Sequence, residues 1–315
     1  MIHQTALGDF ILAWSLAVGV RRRWPAGRVD VLGRASIASL ADGRGDVDRV
    51  VDADAMRLAA LFGDGGQPTP ELADLLRRYD LVLNLVAGPE EPFSRRLARG
   101  CTGVVYSLDV RPRGDRPGHI TDQWRANLAA EGLRLEPAWP RLTFPAAELT
   151  AARNDLCRLL RQSPALNRES SIPLALLHPG SGGRTKCWPI DRFEQLAFRL
   201  RALDWCVGFA PGPVEREQWD AATFERLAAA APVLPDADLP TSARWAAAAD
   251  LYVGNDAGMT HVAAATGVRT VAVYGPTDPA RWRPLGPQVV TVGGGEWPDV
   301  ETALAAAVGD GPSAV

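Results

Sequence analysis

The sequence predicts an α/β protein of two doubly wound, Rossmann-like domains with parallel sheets. Three observations lead there. The chain has 315 residues, beyond the roughly 250–300 at which single hydrophobic cores stop growing. Short β-branched runs alternate with helical stretches in both halves, the pattern of a parallel sheet with helices on its two faces. Several of the runs end in glycine-bearing turns, and open sheets of this kind bind ligands at the carboxyl ends of their strands.

The first half offers a very short strand at its start and further strands at Arg28–Leu32, Arg49–Val51, Leu81–Leu85 and Val104–Ser107. Helices are expected at Gly8–Arg23, Glu71–Tyr79, Phe93–Arg99 and Thr121–Glu131. In the first of these, Ile11, Trp14 and Val18 share a face, and Arg21-Arg22-Arg23 place cations against the negative end of the dipole. In the second half, strands are expected at Pro173–His178, Trp205–Ala210, Leu251–Gly254, Thr270–Tyr274 and Val289–Val292. Helices are expected at Ile190–Ala202, Val214–Ala231, Thr241–Ala248, Met259–Thr266 and Val300–Val308. The stretch Pro137–Ser171, with Pro137, Pro140 and Pro145, a helical piece and the polar run Asn167–Ser171, reads as the join. The domains are drawn at 1–150 and 151–315, facing across a cleft, with the last helix turning back onto the first domain.

Composition narrows the function. A formal net charge of −3 argues against broad nucleic-acid binding. Cys101, Cys157, Cys187 and Cys206 form no CxxC pair and no zinc spacing, and read as free thiols in a reducing compartment. The start MIHQTALGDF lacks a basic signal-peptide region. The apolar run Phe10–Val20 has 11 residues, against about 20 for a membrane span. A cytoplasmic protein is expected.

Four constellations could carry chemistry. Gly8 permits a tight turn into a helix, and Asp9 then stands at the helix N-terminus, either as a proton acceptor or as a simple cap. Gly180, Ser181 and Gly182 open a loop that runs to Lys186; backbone N–H groups and a cation suit a phosphate there, and a solvated loop is the alternative. The loop is neither a Walker loop, which needs Gly before Lys, nor GxGxxG. In Gly254-Asn-Asp-Ala-Gly-Met-Thr-His261, Asp256 reads as an N-cap and Gly267 as a stop. The short helix would aim the N–H groups of Ala257 to Thr260 at an anion, with Gly258 allowing close approach and His261 one turn in. Finally, Gly275-Pro-Thr-Asp-Pro ends a strand with Thr277 and Asp278 at the same edge, unless the turn serves shape alone.

Together, Gly8-Asp9, the HPGSGG…Lys186…Trp188-Pro189 block, Gly254-Asn-Asp-Ala-Gly…His261 and Gly275-Pro-Thr-Asp-Pro resemble the heptosyltransferases of glycosyltransferase family 9. The resemblance covers nearly the whole chain in order, and His119–Gly132 is similar to a family segment between the domains. It implies a GT-B fold, with an acceptor-binding N-terminal domain and a donor-binding C-terminal domain. It also implies inverting transfer without metal or other cofactor. Asp9 corresponds to the general base, Lys186 to the diphosphate contact, and Asp256, Ala257, Gly258 and His261 to the donor phosphate and sugar loop. Glu215 falls where the family has a nucleotide-contacting acid, with Glu217 as the alternative. The chain departs from the family in having only Met1–Gln4 before the Gly-Asp turn and Ser15 where many members have Pro.

The function expected is transfer of a sugar, a heptose, from a nucleoside-diphosphate donor such as ADP-heptose to a lipopolysaccharide core or other cell-surface glycan. Two alternatives remain: a 2-epimerase or hydrolase of nucleotide sugars, and an inactive sugar-nucleotide binding protein. Arg95, Arg96, Arg99, Arg111, Arg113 and Arg116, against Asp109 and Asp115, suggest an anionic or lipid-linked acceptor at the inner membrane face, or a solvated surface.

Overall fold

The computed structural model describes residues 1–63, 65–110, 117–160 and 172–309. Arg111, Arg113, Asp115, Arg116 and the run Asn167–Ser171 lie outside them. The chain divides into two compact units, Met1–Pro140 and Arg141–Val315.

The first unit is a five-stranded parallel sheet: β1 (Ile2–His3), β2 (Asp30–Gly33), β3 (Arg49–Asp52), β4 (Leu81–Leu85) and β5 (Val104–Ser107). Its order is β3-β2-β1-β4-β5. The two-residue β1 is central, with Ile2 beside Leu32 on one side and Asn84 on the other. Its helices are α1 (Leu7–Arg23), α2 (Ala35–Ala38), α3 (Pro70–Leu76), α4 (Pro92–Gly100) and α5 (Ile120–Ala130). α1 is buried continuously from Asp9 to Gly19, and a helix without a polar face must be covered all round. α5 packs along it. Gly19 lets Leu135 come close, since a Cβ at Gly19 would stand 3.2 Å from that of Leu135.

The second unit holds β6 (Leu174–His178), β7 (Cys206–Phe209), β8 (Leu251–Asn255), β9 (Arg269–Tyr274) and β10 (Val289–Gly293), all parallel, in the order β10-β9-β8-β6-β7. Around them lie α6 (Ala146–Leu160), α7 (Ile190–Ala202), α8 (Pro213–Gln218), α9 (Ala221–Ala230), α10 (Leu239–Ala248), α11 (Gly258–Thr266), α12 (Pro279–Trp282) and α13 (Val300–Val308). β6 is buried at every position. Ala175 and Leu177 join Trp188, Phe193 and Phe209 on one face, while Leu174 and Leu176 join Leu156, Trp245 and Tyr252 on the other. A strand covered on both faces reads as a continuous apolar run, as 173–178 does.

Several elements differ from their sequence expectation. The stretch Val214–Ala231 is two helices, because Trp219 is extended and Asp220 caps α9 by accepting from the Thr223 N–H. α6 buries Ala152, Leu156 and Leu160 in the second unit's core, so the division precedes it. α13 buries Ala303, Leu304 and Ala307 in the core of its own unit, against α7 and β9. α1 begins at Leu7, so Gly8 lies within its first turn and the bend into it falls before Leu7. Among the described residues no helix is long and apolar enough to cross a membrane.

Each sheet has one point where the chain reverses its direction of growth. In the first it lies between β1 and β4, and in the second between β6 and β8. In doubly wound sheets the loops leaving such strands diverge, and ligands bind there, at the strand ends. The loop after β1 enters α1 with Asp9. The loop after β6 runs from Pro179 to Trp188, and the loop after β8 leads into α11.

Candidate active site

In the second unit the two loops at the reversal point are sewn together by Asn255, the last residue of β8, which is fully buried. Its amide donates to the carbonyls of Pro179 (2.8 Å) and Gly180 (3.2 Å), and its oxygen accepts from the Trp188 N–H at 2.9 Å. One side chain thus holds both ends of the glycine loop. Ser181 adds a stitch from its hydroxyl to the Asp256 carbonyl at 2.9 Å. Sequence reasoning passed over Asn255, although it lies inside the Gly-Asn-Asp-Ala-Gly block, because an asparagine near a turn is more often a local turn former.

Asp256 is not the helix cap that its position suggested. The cap of α11 is Ala257, in extended conformation and with no side-chain bond, and the helix starts at Gly258. The Asp256 carboxylate, 8% exposed, instead accepts from Lys186 Nζ at 2.6 Å. Lys186 reaches it from a short 3-10 turn, Arg184–Lys186. The result is a half-exposed cation beside a helix N-terminus that carries no side-chain cap, the two elements that attract a diphosphate. The Thr260 N–H is already bonded to the Ala257 carbonyl and its hydroxyl to the Asn255 carbonyl, so Thr260 is not available to an anion as the sequence suggested. Gly267 ends α11 in left-handed conformation, φ 89°, as its position predicts. His261 lies buried in the helix.

Glu215 joins the same loops. It is 4% exposed, and its carboxylate accepts from the Gly212 N–H at 2.8 Å. It presses on Gly180 so closely that a Cβ there would come within 1.9 Å of the carboxyl carbon. Gly180 is therefore needed for space, while Gly182 has open space around it. Glu217, the alternative position, is exposed. Thr277 stands in the turn after β9, its hydroxyl shielded from solvent and unbonded among the described residues. Asp278 caps α12 through the Ala280 N–H.

In the first unit Asp9 is the third residue of α1, 8% exposed. The cap position is Ala6, so Asp9 complements the dipole from within the first turn. His3 and His119 are the rival bases. Burial pushes His3 down to about 4, with the charge of Asp9 opposing the shift. Its ring is bonded to the Thr5 hydroxyl (3.0 Å) and packs edge-on against Phe10. His119 is buried and caps α5, its Nδ1 2.8 Å from the Thr121 hydroxyl. Of the arginines, Arg95 pairs with Glu90 at 3.2 Å and Arg96 donates to the Leu61 carbonyl at 2.9 Å; Arg99 is exposed.

The structure therefore gathers Gly180, Ser181, Lys186, Glu215, Asp256, Ala257 and Gly258 around one strand-end crevice. It places Thr277 on a neighbouring strand end and Asp9 at the corresponding point of the other unit. A glycine-bearing loop, a lysine and a helix N-terminus without a side-chain cap thus meet at the strand ends of a doubly wound unit, where open α/β sheets place their ligands. Residues 93–305 match the model of glycosyltransferase family 9 (heptosyltransferase), and the chain belongs to that family. Lipopolysaccharide heptosyltransferase 1 of Pseudomonas aeruginosa is 38% identical over 110 residues, 34% of this chain, so the match spans only 29% of that relative's length. Among solved structures, a glycosyltransferase family 9 protein of Veillonella parvula superposes with a TM-score of 0.71 at 18% identity, over 93% of this chain and 85% of that one. The ADP-heptose lipopolysaccharide heptosyltransferase II of Escherichia coli gives 0.67 at 20% identity, over 92% and 88%. These likenesses show the fold, the paired Rossmann-like sheets of the GT-B class.

Proposed function

We propose that the chain is an inverting glycosyltransferase, moving a heptose from ADP-heptose to a lipopolysaccharide core or other cell-surface glycan. The second unit holds the donor and the first presents the acceptor to Asp9, the general base. The observation that carries the donor half is the pairing of Lys186 with Asp256 at the start of α11. The cation and the helix N-terminus stabilise the departing diphosphate in place of a metal ion. The names of the family and of the E. coli neighbour support heptose and ADP.

Calorimetry with ADP, GDP and UDP tests this site. ADP should bind, and EDTA should leave its affinity unchanged. Lys186→Ala should weaken ADP roughly ten- to a hundredfold, the range of a charge-assisted contact. The variant loses the cation and also leaves the buried Asp256 carboxylate unopposed beside a second anion. Binding that vanished in EDTA and returned with Mg²⁺, or ADP binding unaltered in Lys186→Ala, would remove the assignment.

A further inference from the structure

We infer that His178 is a positioning residue for Glu215, and thereby a determinant of how tightly the nucleoside half of the donor is held. The inference rests on the donor site proposed above. His178 is the last residue of β6 and 5% exposed. Its Nδ1 lies 2.6 Å from the Ala210 carbonyl. A carbonyl only accepts, so the ring donates from Nδ1, which fixes the tautomer. The ring also stacks on buried Tyr252, with centroids 6.3 Å apart and planes 23° from parallel. These two contacts leave it little freedom.

Ala210 begins the loop that Glu215 closes. Its N–H is bonded to the Leu177 carbonyl at 2.8 Å, so Leu177 and His178 together grip both polar groups of this one residue. Two residues on, the Gly212 N–H holds the Glu215 carboxylate. A Cβ on Gly212 would lie 3.0 Å from the Glu215 carboxylate and 3.5 Å from His178 Cε1, so glycine is what lets loop, ring and carboxylate meet. Gly180, two residues after His178, bears on the carboxylate from another side. The carboxylate is therefore wedged between two glycines, Gly180 held by Asn255 and Gly212 in the loop whose start, Ala210, His178 holds. Burial, opposed by the charge of Glu215, holds the ring below the ordinary histidine range, so it works as a neutral donor and not as an ion-pair partner.

A carboxylate that accepts one backbone bond keeps capacity for more. Hydroxyl groups, as on a ribose, are its natural donors. Small displacements of such a group cost much of its effect. A misplaced Glu215 should then harm nucleoside recognition and spare the diphosphate, which Lys186 and α11 hold.

Calorimetry on the full chain, with ADP and inorganic diphosphate as probes, tests this. His178→Phe keeps the ring and removes the donor; it should weaken ADP about tenfold and change diphosphate by less than about twofold. His178→Asn places an N–H near the position of Nδ1, and His178→Gln places it beyond; ADP affinity should fall in the order wild type, Asn, Gln. This ordering serves equally where the Phe variant folds poorly. In a Glu215→Gln background, His178→Phe should add little further loss, since both act through one group. Equal losses of ADP and diphosphate, wild-type ADP affinity in His178→Gln, or full additivity with Glu215→Gln would overturn the inference. If the wild-type chain bound neither probe, the donor site itself would be wrong, a result distinct from any of these.

Discussion

Asp9→Asn should cut turnover at least a hundredfold, the lower part of the range of about 10²–10⁴ that a positioned general base supplies. Inverting transfer needs a group that removes the acceptor hydroxyl proton as its oxygen attacks the anomeric carbon. Asp9 stands in the first turn of α1, beside the reversal point of its sheet. The amide keeps the shape and loses the basicity. Ala6, not Asp9, occupies the cap position, so the expected stability loss is only the dipole contribution, about 0.3–1 kcal/mol. Donor affinity should hold, because the proposed donor residues belong to the other unit. His3 cannot readily substitute, being buried and already committed to Thr5. Rates at saturating donor, with a thermal melt alongside, check this. A wild-type rate would send the search for the base elsewhere, and an early melt would make Asp9 a structural residue.

Asn255→Ala should be the most destabilising change in the second unit's crevice. It orphans the Trp188 N–H and strips one partner from each of two carbonyls, those of Pro179 and Gly180. Unmade bonds at buried groups cost about 1–3 kcal/mol each, so a total of roughly 3 kcal/mol is expected. The glycine loop would lose its anchor at both ends, and ADP affinity should fall with it. Asn255→Asp keeps the acceptor for Trp188 but sets a carboxylate against two carbonyl oxygens, and should be no better. Denaturant midpoints of the full chain measure the first effect and calorimetry the second. A midpoint equal to wild type in Asn255→Ala would mean that the loops hold without the stitch.

The periodicity of the chain made the two sheets legible, because buried parallel strands are continuous apolar runs and the longer helices between them bury one apolar stripe. What it hid were the breaks that depend on single residues. The helix over 214–231 is interrupted by a capping aspartate, Asp220, whose effect outweighs the alanine-rich sequence after it. Asp256 looked like a cap because Asp before a helix usually is one; a lysine 70 positions away in the chain claims it instead, and no local pattern reveals such a partner. Glu215 was placed by resemblance, and its contact with Gly180 is a tertiary fact. Gly180 and Gly212 show why: each is required by the bulk of a carboxylate that the sequence around it does not announce.

The most direct test of the transferase reading is a product analysis. The chain is incubated with ADP-heptose, with and without a lipopolysaccharide-core acceptor, and the sugar's destination and anomeric configuration are followed by NMR. One new glycosidic bond of inverted configuration is expected for each ADP released, only with acceptor present and strongly reduced in Asp9→Asn. Free heptose released at the same rate without acceptor, or a nucleotide sugar isomerised and still intact, would contradict it.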